Sequence, residues 1–253
     1  MSLDRLSFLI AKLRRNEAML AAFSAPLARL NDDIRGKNVA LVGNARSLSL
    51  ADHGAEIESA DLIVRLNRAP MLAPFTHGTR TDWLAMSIRP DAATLARTAP
   101  SRLLWMTPKR KNLSYALARD SRFFLTPPEL SGGLSATLGA RPSTGIMVMA
   151  LLAAMPHASL LLYGFDFFAS RSLSGGRQAG QVPHDFAAES AWTHSLCLMD
   201  PRIRLIRPDG SRPYQIAQQP DIDRADGFPS QVDEACPTDV GQRRLAPADI
   251  LRV

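Results

Sequence analysis

From Gly36 onward, short apolar runs alternate with segments of helical spacing, and this alternation constrains the fold more than any other feature of the chain. Val39–Val42, Leu62–Leu66, Trp83–Met86, Leu103–Met106, Ser159–Tyr163 and Ile203–Ile206 are short and nearly continuous in apolar character. Such runs suit strands buried on both faces. Between them, Asp91–Arg97 and Leu113–Arg119 are helical candidates. Ser143 caps an apolar helix that runs to Met155 and stops at Pro156, and Phe186–Met199 reads as another helix. Strands alternating with helices predict an α/β fold, a mostly parallel sheet with helices on both faces, in a single domain.

Two flanks differ from this core. Residues 3–30 read as an amphipathic helix, with Leu6, Leu9, Leu13, Leu20, Phe23 and Leu27 near helical spacing and Arg5, Lys12, Arg14 and Arg15 as polar interruptions. Such a helix packs on the main domain or a second subunit, or lies on an anionic membrane surface. Beyond Pro208 the chain turns to Gly, Pro, Gln and Asp without periodicity. The expected organisation is a helical segment over 1–35, a core domain over 36–210 and an irregular tail over 211–253.

Composition removes several classes of function. No apolar run approaches the roughly 20 residues that span a bilayer, and the N-terminus lacks a secretory pattern. Cys197 and Cys236 are too few for a disulfide framework, so a reducing, cytoplasmic setting is expected. The net charge of +6 suits an acidic ligand, or equally reflects a genome that prefers arginine, since Lys12, Lys37, Lys109 and Lys111 are the only lysines. The basic residues are scattered, apart from Lys109-Arg110-Lys111, and lack the interleaved aromatics of a nucleic-acid platform. No His, Cys and Asp group has metal-ligand spacing.

In a parallel sheet, ligands bind at the carboxyl ends of the strands, and three places put small polar residues there. Val42-Gly43-Asn44 ends the first strand, where Gly43 permits close backbone approach and Asn44 offers an amide. Arg65-Leu66-Asn67-Arg68 ends the second with an amide between guanidinium groups. Ser143-Thr144-Gly145 opens a helix, where free N–H groups favour an anion. Each also has a plain structural reading: a strand-to-helix turn, a solvated strand end and a helix cap. His184, followed by Glu189, is a histidine able to take a proton from a hydroxyl. The glycine fingerprint of nicotinamide-cofactor enzymes is missing from the first turn.

The order and wording of these segments resemble the motifs of the sialyltransferases, glycosyltransferase family 29. Val39-Ala-Leu-Val-Gly-Asn-Ala-Arg-Ser-Leu, Gly54-Ala-Glu-Ile-Glu-Ser-Ala-Asp-Leu-Ile-Val-Arg-Leu-Asn-Arg-Ala-Pro70 and Gly78-Thr-Arg-Thr-Asp82 resemble the long sialylmotif. Pro142-Ser-Thr-Gly-Ile-Met-Val with Tyr163-Gly-Phe-Asp166 resembles the short one, and His184 with Glu189 the very short one.

The resemblance implies a Rossmann-like, variant GT-A fold, an inverting mechanism, a CMP-linked acidic sugar as donor, and neither cofactor nor metal. By position it assigns Gly43, Asn44, Asn67 and Arg68 to the donor, with Ser143, Thr144 and Gly145 on its CMP portion. His184 becomes the general base and Glu189 its support. Sialic acid and Kdo, both 2-keto acidic sugars, stay open as donor, and the acceptor is a glycan or glycolipid. Two departures stand out. Val39 occupies a position where animal members carry cysteine. The aromatic-rich third motif is missing from Ser170–Gln181, which leaves Arg171, Arg177 or Tyr163 to assist the departing phosphate. That gap also motivates an alternative, a CMP-binding partner subunit or sensor without catalysis.

Overall fold

The computed structural model describes residues 4–167, 173 and 183–207. Helices α1 (Arg5–Leu13), α2 (Glu17–Ala21) and α3 (Leu27–Ile34) precede strand β1 (Asn38–Val42). Then come α4 (Gly54–Glu58), β2 (Leu62–Leu66), α5 (Pro74–His77), β3 (Trp83–Met86), α6 (Ala92–Thr98), β4 (Arg102–Trp105) and α7 (Tyr115–Ala118). The chain continues through β5 (Phe123–Leu125), α8 (Pro128–Leu138), α9 (Thr144–Ala153), β6 (Ser159–Tyr163), α10 (Phe186–Met199) and β7 (Ile203–Leu205).

The seven described strands form one sheet in the order β5-β4-β3-β2-β1-β6-β7, and every neighbouring pair is parallel. Alternate side chains leave the strands on opposite faces. Val39, Leu41, Val64, Trp83, Leu104, Phe124 and Leu162 meet α3, α8, α9 and α10 in the largest core cluster. On the other face Leu84, Met86, Leu103, Trp105 and Phe123 pack under α1, α2 and α7, while Ala40, Val42, Ile63 and Tyr163 pack against Leu48 and Ile57. The expected α/β sheet covered on both faces is what the chain builds.

Two local expectations need correction. The single helix over 3–30 is three helices. Arg15 takes a left-handed φ of 50° and Asn16 caps α2 by accepting the Met19 N–H at 3.0 Å. Phe8 and Phe23 meet edge to face at 5.6 Å, so the segment covers part of the sheet. Strand β5 and helix α8 were also absent from the sequence reading. β5 has only three residues, and α8 carries Gly132-Gly133 in its middle. The predicted tail over 211–253 lies outside the described residues.

Candidate active site

The strand order creates a switch beside β1. After β1 the chain builds outward through β2 to β5, then returns to place β6 on the other side of β1. Loops leaving two such strands diverge, and the crevice between them is where open α/β sheets hold ligands. Here those loops are also tied together. The Gly43 N–H donates to the Tyr163 carbonyl at 2.7 Å and the Ala45 N–H to the Gly164 carbonyl at 3.2 Å. The Ser47 hydroxyl donates to Asp166 at 2.8 Å. A Cβ on Gly43 would run into the Gly164 carbonyl, and Gly164 itself has a φ of +67°. The approach of two loops therefore demands the small residue at Gly43. The Phe165 ring fills the space above Gly43 and beside Gly145.

A run of polar contacts crosses the carboxyl edge from this point. The Asn44 amide donates to the Leu66 carbonyl at 3.2 Å. Asn67 adopts a left-handed φ of 52° and accepts the Ser87 N–H at 3.0 Å. The Ser87 hydroxyl shares a 2.7 Å hydrogen bond with Thr144, the first residue of α9. The ends of β1, β2 and β3 and the start of α9 thus converge. Asn44, Asn67, Thr144 and Gly145, predicted from sequence, meet there. Ser87 was missed, although its position directly after an apolar run was a readable signal.

His184 and Glu189 fasten the start of α10 to the same place. Glu189, 2% exposed, accepts the Ser143 N–H at 2.6 Å. Ser143 in turn caps α9 by accepting the Ile146 N–H at 3.4 Å. The Nδ1 of His184 lies 2.7 Å from the Arg141 carbonyl. A carbonyl only accepts, so Nδ1 carries the proton and Nε2 keeps its lone pair. Burial, with Arg141 also nearby, holds the His184 pKa below its ordinary value, so the ring is neutral near pH 7. Burial pushes the Glu189 carboxyl up to about 7, despite its hydrogen bond from Ser143.

The remaining candidates sit elsewhere. Tyr163 is buried on the opposite face of the sheet from α9, its ring 5.6 Å from that of His53. Arg68 is exposed just past β2, and Arg97 donates to its carbonyl at 2.6 Å. Arg171 and Arg177, together with the rest of Ser170–Gln181 apart from Leu173, lie outside the described residues. Much of the long motif serves the scaffold. Arg65 spends its buried guanidinium on the carbonyls of Arg80 at 2.9 Å and His77 at 2.6 Å. Glu58 accepts the N–H groups of Thr79 and Arg80, and Asp82 accepts that of Ile63 at 2.7 Å. Among the described residues, no group of three or more His, Cys, Asp or Glu is placed to hold a metal ion.

Amide, hydroxyl and helix-start groups thus gather at the switch point of a parallel α/β sheet. Residues 5–121 match the family model of glycosyltransferase family 29 (sialyltransferase). That match covers just under half of the chain, which over those residues is similar to the sialyltransferases. The matched segment runs from α1 to the turn before β5 and holds Gly43, Asn44, Asn67 and Ser87, while His184 and Glu189 lie beyond it. Two crystal structures of a mammalian sialyltransferase share the fold. One matches with a TM-score of 0.51 and 19% identity over 68% of this chain and 69% of that one. The other, bound to Gal-beta-1-3GalNAc-ortho-nitrophenol, matches with a TM-score of 0.50 and 18% identity over 81% and 87%. A variant of the sialyltransferase CST-II in complex with CMP matches with a TM-score of 0.51 and 10% identity over 69% and 83%. At these identities the likeness is one of fold. No curated protein matches the chain.

Proposed function

We propose that this protein is an inverting transferase that moves sialic acid, or the related 2-keto acidic sugar Kdo, from its CMP conjugate to a hydroxyl of a glycan or glycolipid. The observation that carries the reading is the hydrogen bond from His184 Nδ1 to the Arg141 carbonyl. It leaves Nε2 as a proton acceptor on a ring anchored to Arg141, two residues before the Ser143 cap of α9. In the reaction the acceptor oxygen bonds to the anomeric carbon while its proton passes to His184 Nε2. The bond from that carbon to the phosphate oxygen breaks, and CMP departs with the electron pair. Ser143 caps the Ile146 N–H, and the N–H groups of Thr144 and Gly145 at the start of α9 face the growing charge on the phosphate. Asn44, Asn67, Thr144 and Gly145 hold the nucleotide, and Glu189 positions the start of α10 through Ser143.

CMP complexes among proteins of the same fold support the donor class. Residues 36–210 form the catalytic domain in this reading. The test is turnover of CMP-sialic acid and CMP-Kdo by wild type and His184→Ala. A general base contributes roughly 100- to 10,000-fold, so the variant should lose at least about 100-fold in kcat while CMP affinity stays unchanged. CMP binding by the wild type without turnover of either donor would sink the enzymatic reading and support the non-catalytic one.

A further inference from the structure

The outer side of α1 is as apolar as its inner side. Phe8 and Ala11 are buried, with Phe8 against Phe23 and Tyr115. Leu6, Leu9 and Leu13, spaced i, i+3 and i+7, lie on the opposite side of the helix and are 67%, 50% and 85% exposed. A helix that covers a core normally turns charged and polar residues to water. Here the outward stripe is leucine, so the face is built to meet something other than water.

Charge indicates what that is. From Arg5 to Asn16 the chain carries Arg5, Lys12, Arg14 and Arg15 and no acidic residue. The Lys12 ammonium donates to the carbonyls of Lys111 at 3.0 Å and Leu113 at 2.7 Å, strapping α1 to the loop that follows β4. That loop brings Lys109 and Lys111, both exposed, alongside. Arg110 between them is paired with Glu17 at 3.0 Å and stands apart from the rim. An apolar stripe edged by cations of one sign matches the boundary between acyl chains and anionic headgroups.

We propose that this face docks on an anionic phospholipid bilayer. The leucines enter the acyl boundary, and Arg5, Arg14, Arg15, Lys109 and Lys111 meet the headgroup phosphates. The loop carrying the two lysines leaves the carboxyl end of β4, the sheet edge that also bears Asn44, Asn67 and Ser87. Docking therefore holds the site beside the lipid, where a lipid-linked acceptor would lie. The docking itself needs no donor and no turnover, so its test is separate from that of catalysis.

The experiment is flotation of the full chain with vesicles of phosphatidylcholine alone or with added phosphatidylglycerol. Wild type should float only with the anionic vesicles. The triple change Leu6→Ser, Leu9→Ser and Leu13→Ser should lower partitioning by at least about tenfold and leave the melting temperature unchanged. The pair Arg14→Gln and Arg15→Gln, on exposed side chains, should lower it about 25-fold, at roughly fivefold per charge. Failure of wild type to float, or flotation of either variant at wild-type levels, overturns the proposal. So does a leucine variant that melts lower or turns from dimer to monomer, because the stripe would then already be covered by this chain or by a second copy.

Discussion

Replacing Glu189 by glutamine isolates a single ionisation. The variant keeps the side-chain shape and an oxygen for the Ser143 N–H, and it removes a site that binds a proton. Burial raises the Glu189 carboxyl from its ordinary 4.5 to about 7, opposed by the Ser143 hydrogen bond and reinforced by Asp185. At about 1.4 kcal/mol for each pKa step of one, a gap of roughly 2.5 corresponds to about 3 kcal/mol. The side chain is 2% exposed, so solvent screening takes little from that figure. A carboxyl with a raised folded pKa binds protons more tightly in the folded state. Its stabilising contribution is full below the unfolded value and is lost as pH rises through the folded one. Urea unfolding of both proteins near pH 5 and pH 8 measures it, because the other titrating groups are common to both. Stability of Glu189→Gln relative to wild type should rise by about 2–3 kcal/mol between those pH values. A difference that stays flat would refute the burial argument. A difference that falls would show the carboxylate form stabilised, as the amino end of α9 could do.

Gly43→Ala sets a methyl group against the Gly164 carbonyl, backbone against backbone, and should cost about 1–3 kcal/mol by chemical denaturation; wild-type stability would refute the packing argument. Asn67→Gly and Asn67→Ala both remove the acceptor for the Ser87 N–H, and both should raise the KM for donor. The alanine variant should lose about 1–2 kcal/mol more stability, because it must hold a left-handed φ. With the His184 pKa held below its ordinary 6.5, the acidic limb of kcat/KM should fall below pH 6.5 and vanish in His184→Gln; a limb above 6.5 would exclude this histidine as the base.

Strands buried on both faces were legible because each is a short apolar run closed by glycine or a polar residue, and β1, β2, β3 and β6 fall where those runs predict. β5 was illegible because three residues between Arg122 and Thr126 are too few to show a pattern. The N-terminal leucines kept helical spacing across two breaks, so one helix was read where three exist, and spacing alone could not tell the inward stripe of α1 from the outward one. The site divides in the same way. Asn44, Asn67 and Ser143 were readable from their places after a strand or before a helix. The approach of Gly43 to Gly164 and the hold of Glu189 on Ser143 join residues far apart in the chain, and no local pattern encodes them.

The switch beside β1 also imposes an order of assembly. β1 through β5 lie in one continuous stretch and pair mostly with neighbours in the chain. The second partner of β1 is β6, whose Tyr163 sits opposite Val42. Closing so long a loop is entropically costly and slow. During synthesis the apolar edge of β1 emerges well before β6 exists to cover it. Until then the nascent chain presents an open parallel strand, the state most exposed to wrong pairing. Destabilising changes at Gly43 or Gly164 therefore act on a seam that closes late, and should lower the yield of folded protein more than its final stability would suggest.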